Sequence, residues 1–132
     1  MTTPTTFSLL VTSNAFSTDR HELAMRFVDA AVRQGHKIQR VFFYQDAVNV
    51  ANQNQTPPQG QASPCTRWAE LAEKHQFPLV ACIANSLRRG LADTAESARH
   101  DLTGANLHSA FSLAGLGEMA ESYNDSDQLV QF

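Results

Sequence analysis

Two cysteines carry the most distinctive chemistry in this protein of 132 residues. Cys82 lies in the apolar run 79–84, at the point where a helical pattern that continues to Leu87 begins. A side chain at such a junction stands at the carboxyl edge of a sheet, and the unpaired amides of the following helix stabilise a thiolate there. Arg88 and Arg89 add positive charge at the far end of that short helix. Two interpretations stay open: Cys82 is a nucleophilic thiol, or it is a small buried core residue.

Cys65 is the second cysteine and lies close to a predicted helix start at Ser63-Pro64. It follows an irregular polar segment, and no apolar strand delivers it to the sheet edge. We therefore expect a half-exposed surface cysteine, with a resolving thiol for Cys82 as the alternative. The spacing of the two cysteines and the scattered histidines match no zinc pattern, so no metal site is predicted.

A glycine-rich motif and five histidines are the remaining candidates for a site. Residues 115–120, GLGEMA, fit the loose dinucleotide pattern G-x-G-x-x-A. The genuine motif opens the first βαβ unit and needs an acidic residue about 20 positions later. Since only about a dozen residues follow Ala120, we expect a strand-to-helix turn, with a nucleotide-binding module as the alternative. The histidines offer no consistent catalytic partner, and His21, His100 and His108 are expected to be exposed.

The elements that must position these residues alternate between strands and helices. Strands are predicted at 7–12, 37–44, 79–84, 107–113 and 129–132, and helices at 20–34, 64–76, 83–87 and 118–123. Residues 45–63 are predicted to form a long loop, and 91–106 a polar stretch with a turn near its end. This order predicts a three-layer α/β/α fold with a mainly parallel five-stranded sheet in a single domain over residues 1–132. The order of the strands stays open.

Composition argues against several classes of protein. The net charge is −3, 42% of the residues are hydrophobic and 17% are charged, which is ordinary for a globular protein. No basic run is longer than Arg88-Arg89, which argues against direct binding of nucleic acid. The apolar segment 7–11 is too short for a signal peptide, and no segment approaches the ~20 apolar residues of a membrane span. We therefore expect a cytoplasmic protein without membrane contact, in which thiols stay reduced.

Five sequence blocks, taken in order, resemble the DsrE/TusD family of sulfur-relay proteins, which have a DsrE/F-like fold. The blocks are GHKIQRVFFYQDAVNVAN at 35–52, WAELAEKH at 68–75, LVACIANSLRRG at 79–90, NLHSAFSLAGLGEMAES at 106–122 and LVQF at 129–132. In that family the cysteine that opens the block C-I-A-x-x-L-R-R-G accepts a sulfur atom as a persulfide. The matching residue in this sequence is Cys82.

The resemblance implies a sulfurtransferase that takes up and passes on persulfide sulfur at Cys82, without a cofactor or metal. The TusD branch supplies sulfur for 2-thiolation of the tRNA wobble uridine, which we expect here, and the DsrE branch acts in the oxidation of stored sulfur. The implied partners are homologous TusC/TusB-like or DsrF/DsrH-like subunits in an oligomer, an upstream TusA-like donor and a downstream TusE/DsrC-like acceptor. A non-catalytic assembly subunit, in which Cys82 only packs, is a further alternative.

Overall fold

A computed structural model describes residues 3–132, and within them five strands, five α-helices and one 3₁₀ helix. The strands are β1 (Thr6–Val11), β2 (Lys37–Phe43), β3 (Leu79–Cys82), β4 (Phe111–Ala114) and β5 (Gln128–Gln131). The α-helices are α1 (Arg20–Arg33), α2 (Pro64–His75), α3 (Ile83–Arg88), α4 (Thr94–Arg99) and α5 (Leu116–Asp125), and the 3₁₀ helix is Gln45–Ala51.

The five strands form one sheet in the order β4-β3-β2-β1-β5, and every neighbouring pair is parallel. Parallel neighbours cannot be joined by a tight hairpin, so each connection crosses back through helical structure. The backbone moves in one direction from β1 to β4 and then returns to place β5 beside β1. The predicted parallel five-stranded sheet is confirmed, and the strand order is new information.

Helices cover both faces of the sheet. On one face Phe43 of β2 packs edge-on against Trp68 of α2, with 5.2 Å between ring centroids. On the other face Arg40 of β2 donates a hydrogen bond to Ser122 of α5. Because successive residues of a strand point to opposite faces, Arg40 and Phe43, three positions apart, project to different layers. The predicted three-layer arrangement is therefore confirmed.

The helix ends follow signals that are visible in the sequence. Gly35, which follows α1, has a φ of +88°, a conformation that costs glycine little. The Ser63 hydroxyl accepts a hydrogen bond from the Thr66 amide at 3.1 Å, and Pro64 occupies the first position of α2. These signals explain why the predicted and observed bounds of α1 and α2 differ by only one residue at their ends.

The predicted loop at 45–63 is wrong in its first part. Residues Gln45–Ala51 form a 3₁₀ helix that buries four apolar side chains, namely Ala47, Val48, Val50 and Ala51. The later polar residues dominated the prediction, and the short apolar pattern before them was too brief to show a helical period. This helix follows β2 directly, so it lies at the carboxyl edge of the sheet.

Two further boundaries were predicted incorrectly. The polar stretch 91–106 contains α4, which begins where the Asp93 side chain accepts a hydrogen bond from the Glu96 amide at 2.8 Å. The strand predicted from Leu107 begins only at Phe111. Leu107 instead forms an isolated antiparallel bridge with Asn52, which lies just after the 3₁₀ helix. The bridge between Leu107 and Asn52 could not be identified from local sequence.

Among the residues described, no helix is both long and apolar enough to cross a bilayer.

Candidate active site

A cleft of about 350 Å³ opens where three strands end at the carboxyl edge of the sheet. Tyr44 follows β2, Cys82 ends β3 and Gly115 follows β4. These three strands are adjacent in the sheet, so their ends lie side by side. The cleft is lined by Tyr44, Cys82, Ile83, Ala84, Asn85, Arg88, Gly115 and Leu116. Loops and helix starts at this edge are where parallel α/β sheets bind their ligands.

Cys82 lies at the base of the cleft, where the strand gives way to a helix. It is the last residue of β3 and the N-cap of α3, with extended backbone angles (φ −60°, ψ 122°). The residue is only 2% exposed, although it lines the cleft. Its thiol accepts no capping hydrogen bond from the α3 amides. The predicted strand-to-helix position of Cys82 is confirmed.

The wall of the cleft beside Cys82 is held by a hydrogen-bond network between the 3₁₀ helix and α3. The Asn85 side chain, in a residue that is 7% exposed, accepts a hydrogen bond from the Gln45 amide. Gln45 has a φ of +53°, an unusual conformation for a residue with a side chain, and this hydrogen bond helps to hold it. Asn85 was not identified from the sequence. The signal that could have identified it is its position three residues after Cys82, which places it in the first turn of α3.

The two adjacent arginines have different surroundings. Arg89 donates two hydrogen bonds to one carboxylate oxygen of Asp46, at 3.0 and 2.9 Å, and a third to the Asn85 carbonyl at 3.1 Å. Arg88 is exposed and lines the cleft. The sequence places both at the far end of α3, but the structure brings only Arg88 to the cleft that contains Cys82.

Cys65 is not the half-exposed surface residue that was predicted. It is 2% exposed, in the first turn of α2, and burial raises the pKa of its thiol to about 11. Its backbone amide donates to the Gln55 side-chain oxygen at 3.2 Å, and α2 packs it into the core. Both cysteines are free thiols, and Cys65 is not among the described residues that line the Cys82 cleft. The raised pKa and the position of Cys65 outside the cleft lining argue against the alternative role as a resolving thiol.

His21 was predicted to be exposed and is buried. Its Nε2–H donates to the Ser13 carbonyl at 2.7 Å, and its Nδ1 accepts from the Trp68 indole N–H at 3.0 Å. The ring also stacks on Phe43, with 6.0 Å between centroids. Burial lowers the pKa of the imidazole, which favours this neutral form. The error arose because Trp68, which packs against His21, is 47 positions away in sequence. His100 is exposed, as predicted, and His108 is half-buried.

The Gly115–Gly117 segment is the predicted strand-to-helix turn. Gly115 links β4 to α5, and its carbonyl accepts a hydrogen bond from the Glu118 amide at 3.2 Å. A Cβ added to Gly115 or Gly117 would meet no atom of residues 3–132 within 4 Å. Close backbone approach is the reason for glycine in a dinucleotide motif, and nothing described here requires it. Across residues 3–132 no group of three or more His, Cys, Asp or Glu side chains could hold a metal ion.

Comparison with known proteins places this fold and cleft in a family. A model of the DsrE/DsrF-like family matches residues 6–132. The sulfurtransferase TusD of Pectobacterium atrosepticum is 40% identical over 126 residues, which are 96% of this chain and 98% of that protein. The putative sulfurtransferase DsrE of Allochromatium vinosum is 38% identical over 126 residues, covering 96% and 97% of the two proteins. The ychN protein of E. coli has a similar fold, with a TM-score of 0.75 at 17% identity over 97% of this chain and 99% of that one.

The fold is a small three-layer α/β fold, and a cysteine thiol lines the cleft at the carboxyl edge of its sheet. The chain belongs to the DsrE/DsrF-like family, as the sequence blocks indicated. It is a sulfurtransferase of the sulfur-relay type.

Proposed function

We propose that Cys82 is the residue that carries sulfur in this sulfurtransferase. The Cys82 thiolate attacks the outer sulfur of a donor persulfide, R–S–SH. A new S–S bond forms at Cys82, the S–S bond of the donor breaks, and the donor leaves as the thiolate R–S⁻ with its electron pair. The product, Cys82–S–SH, then offers its outer sulfur to the thiolate of an acceptor in the same way. No external oxidant or reductant is needed.

The observation that supports Cys82 most strongly is its position in the cleft. Of the two cysteines, Cys82 lines a cleft that opens at the carboxyl edge of the sheet, whereas Cys65, in the first turn of α2, is packed into the core. The pKa of about 11 that burial gives Cys65 leaves it almost entirely protonated near neutral pH. The N-terminus of α3 begins directly after Cys82, where its amides can stabilise an anion on that side chain.

The proposed destination of the sulfur is the 2-position of the wobble uridine in tRNA. Support comes from the TusD branch of the family, in which relatives are 40% identical over almost the whole length. Membership of this family supports a function together with partner subunits in a sulfur relay. We further propose TusC/TusB-like subunits as the homologous partners, a TusA-like upstream donor and a TusE-like acceptor.

A second candidate function is sulfur oxidation, and the 38% identity to the Allochromatium vinosum DsrE favours it. The partners would then be DsrF/DsrH-like subunits and a DsrC-like acceptor. The two functions share the Cys82 chemistry and differ in what accepts the sulfur. Measuring 2-thiouridine in total tRNA from cells that carry either the native protein or Cys82→Ser separates them. We expect loss of 2-thiouridine with Cys82→Ser; an unchanged content together with impaired sulfur oxidation would favour the second candidate.

Persulfide mass spectrometry tests the role of Cys82 directly. The full-length protein is incubated with a cysteine desulfurase, cysteine and a small persulfide donor, and peptides are mapped without reduction. We expect one added sulfur atom on the Cys82 peptide of the native protein and of Cys65→Ser, and none on Cys82→Ser. Sulfur that still loads onto Cys82→Ser but not onto Cys65→Ser would show that the assignment is wrong. Normal sulfur flow through Cys82→Ser in the assembled relay would instead indicate a non-catalytic assembly subunit.

A further inference from the structure

Arg88 is the positively charged side chain at the rim of the Cys82 cleft. It is exposed, it lines the cleft, and it forms no ion pair with any residue of 3–132. The neighbouring Arg89 is paired with Asp46, so the positive charge of Arg89 is already balanced within the protein. Of these two adjacent arginines, therefore, only Arg88 has an unpaired guanidinium that can bind a ligand at the cleft.

The other lining residues make this charge more significant. Among the described residues that line the cleft, the titratable or charged groups are Tyr44, Cys82 and Arg88, and none is a carboxylate. Arg88 is thus the only cationic side chain among the described residues that line the cleft, and no carboxylate there opposes it, while the protein as a whole carries a net charge of −3. A local charge opposite in sign to that of the whole protein attracts an anionic group to that one place.

We propose that Arg88 binds a carboxylate located beside the reactive sulfur of the partner that enters the cleft. This inference rests on the proposed role of Cys82. The sulfur that Cys82 attacks is an electrophile, and a negative charge on that sulfur would repel the thiolate. Arg88 is therefore assigned a separate anionic group on the same segment. A planar guanidinium matches a carboxylate through two parallel N–H···O hydrogen bonds.

The carboxylate can come from two sources, the C-terminus of a polypeptide or an acidic side chain, and short peptide persulfides distinguish them. One donor is acetyl-Ala-Cys-Ala with a free C-terminal carboxylate, and a second is the same peptide with a C-terminal amide. A third is acetyl-Asp-Cys-Ala amide, which carries its charge on a side chain. The rate at which sulfur appears on the Cys82 peptide of the full-length protein is measured for each donor by mass spectrometry.

We expect a roughly two- to five-fold faster loading from at least one carboxylate donor than from the amide, the range expected for an exposed charge pair. The faster donor identifies the source. The preference should disappear in Arg88→Gln and be reduced in Arg88→Lys, which retains the charge but lacks the planar pair of donors. It should also fade near 1 M salt, where the screening length falls to about 3 Å.

Arg33→Gln is the matched control, because it removes one exposed positive charge at the end of α1, away from the cleft. Three results would overturn the inference. The native protein could show no carboxylate preference, the preference could survive in Arg88→Gln, or Arg33→Gln could remove it equally. These results remain separate from the role of Cys82, because the amide donor still loads Cys82 in every variant except Cys82→Ser. Melting curves of the variants check that each one is folded.

Discussion

Cys82 and Cys65 have the same side chain in two different environments. Cys82 ends a strand and lines an open cleft, whereas Cys65 lies in the first turn of a helix that presses it into the core. Both begin or precede a helix, so helix position alone does not separate them. Access separates them, because an attacking or attacked sulfur needs a path through which a partner can reach it.

The environment of Cys65 predicts an unreactive thiol. At about pH 8, a thiol whose pKa is about 11 is ionised in roughly one molecule per thousand. We expect iodoacetamide to leave Cys65 of the folded protein unmodified at this pH, while Cys82 is alkylated through the cleft. Peptide mapping after timed alkylation measures both rates, and alkylation in denaturant is the control in which both residues react. Equal rates in the folded protein would contradict this prediction.

Two short elements at the carboxyl edge shape the cleft. The 3₁₀ helix Gln45–Ala51 is anchored by four buried apolar side chains, and its first amide is bound by Asn85 of α3. The ion pair between Asp46 and Arg89 adds a second link between the same two elements. The wall of the cleft is therefore a packed structure and not a loose connection.

The N-terminus of α2 is capped by the side chain of Ser63. The Ser63 hydroxyl satisfies the Thr66 amide, one of the amides that a helix leaves unpaired at its N-terminus. We expect Ser63→Ala to lower the free energy of unfolding by about 1 kcal/mol. Urea denaturation followed by Trp68 fluorescence measures the change, since Trp68 is fully buried in the same helix.

The matched control for that substitution is Ser109→Ala. Ser109 is exposed, and within the described residues its side chain has no hydrogen-bond partner, so its removal should change stability by less than about 0.5 kcal/mol. Equal losses in the two variants would show that the Ser63 cap does not stabilise α2.

At the scale of the whole molecule, His21 joins the segment after β1 and helix α1 to α2, which lies much further along the chain. It lies in the first turn of α1, donates to the segment after β1 through Ser13, and accepts from Trp68 of α2. Its two ring nitrogens therefore have fixed and opposite roles, which only the neutral imidazole can fill. Protonation would remove the acceptor for the Trp68 indole and place a charge in the core.

This arrangement predicts a loss of stability on the acidic side. Burial lowers the pKa of His21 in the folded protein below the usual value of about 6.5. Below that value the unfolded protein binds the proton more readily, so the stability that neutral His21 contributes is complete above about pH 6.5 and decreases as the pH falls towards the folded pKa. We expect the melting temperature of the native protein to fall over this range more steeply than that of His21→Gln.

His100→Gln serves as the control for the pH experiment. His100 is exposed and contacts Glu96, so its removal should leave the loss attributed to His21 in place. Melting temperatures that change in parallel for the native protein and His21→Gln between about pH 5 and pH 8 would contradict the predicted linkage.

The alternation of strands and helices, and the place of Cys82 at a strand-to-helix junction, could be predicted from the sequence. Runs such as 79–82 are apolar without alternation because both faces of a parallel sheet are covered. The ends of α1 and α2 carried signals in Gly35, Ser63 and Pro64, whose backbone and side-chain preferences act locally. These features depend on neighbours within a few residues, which a sequence displays directly.

Other features were decided only by tertiary structure. Burial of His21 and Cys65, the strand order, and the separate surroundings of Arg88 and Arg89 depend on residues that are tens of positions away. Hydrogen bonds and burial at that range follow from how helices pack on the sheet, and local patterns contain no record of that packing. The sequence alone therefore determined the fold class and the candidate thiol. The folded protein decided which thiol lines an open cleft and which charge faces it, because access and ion pairing are properties of packed neighbours.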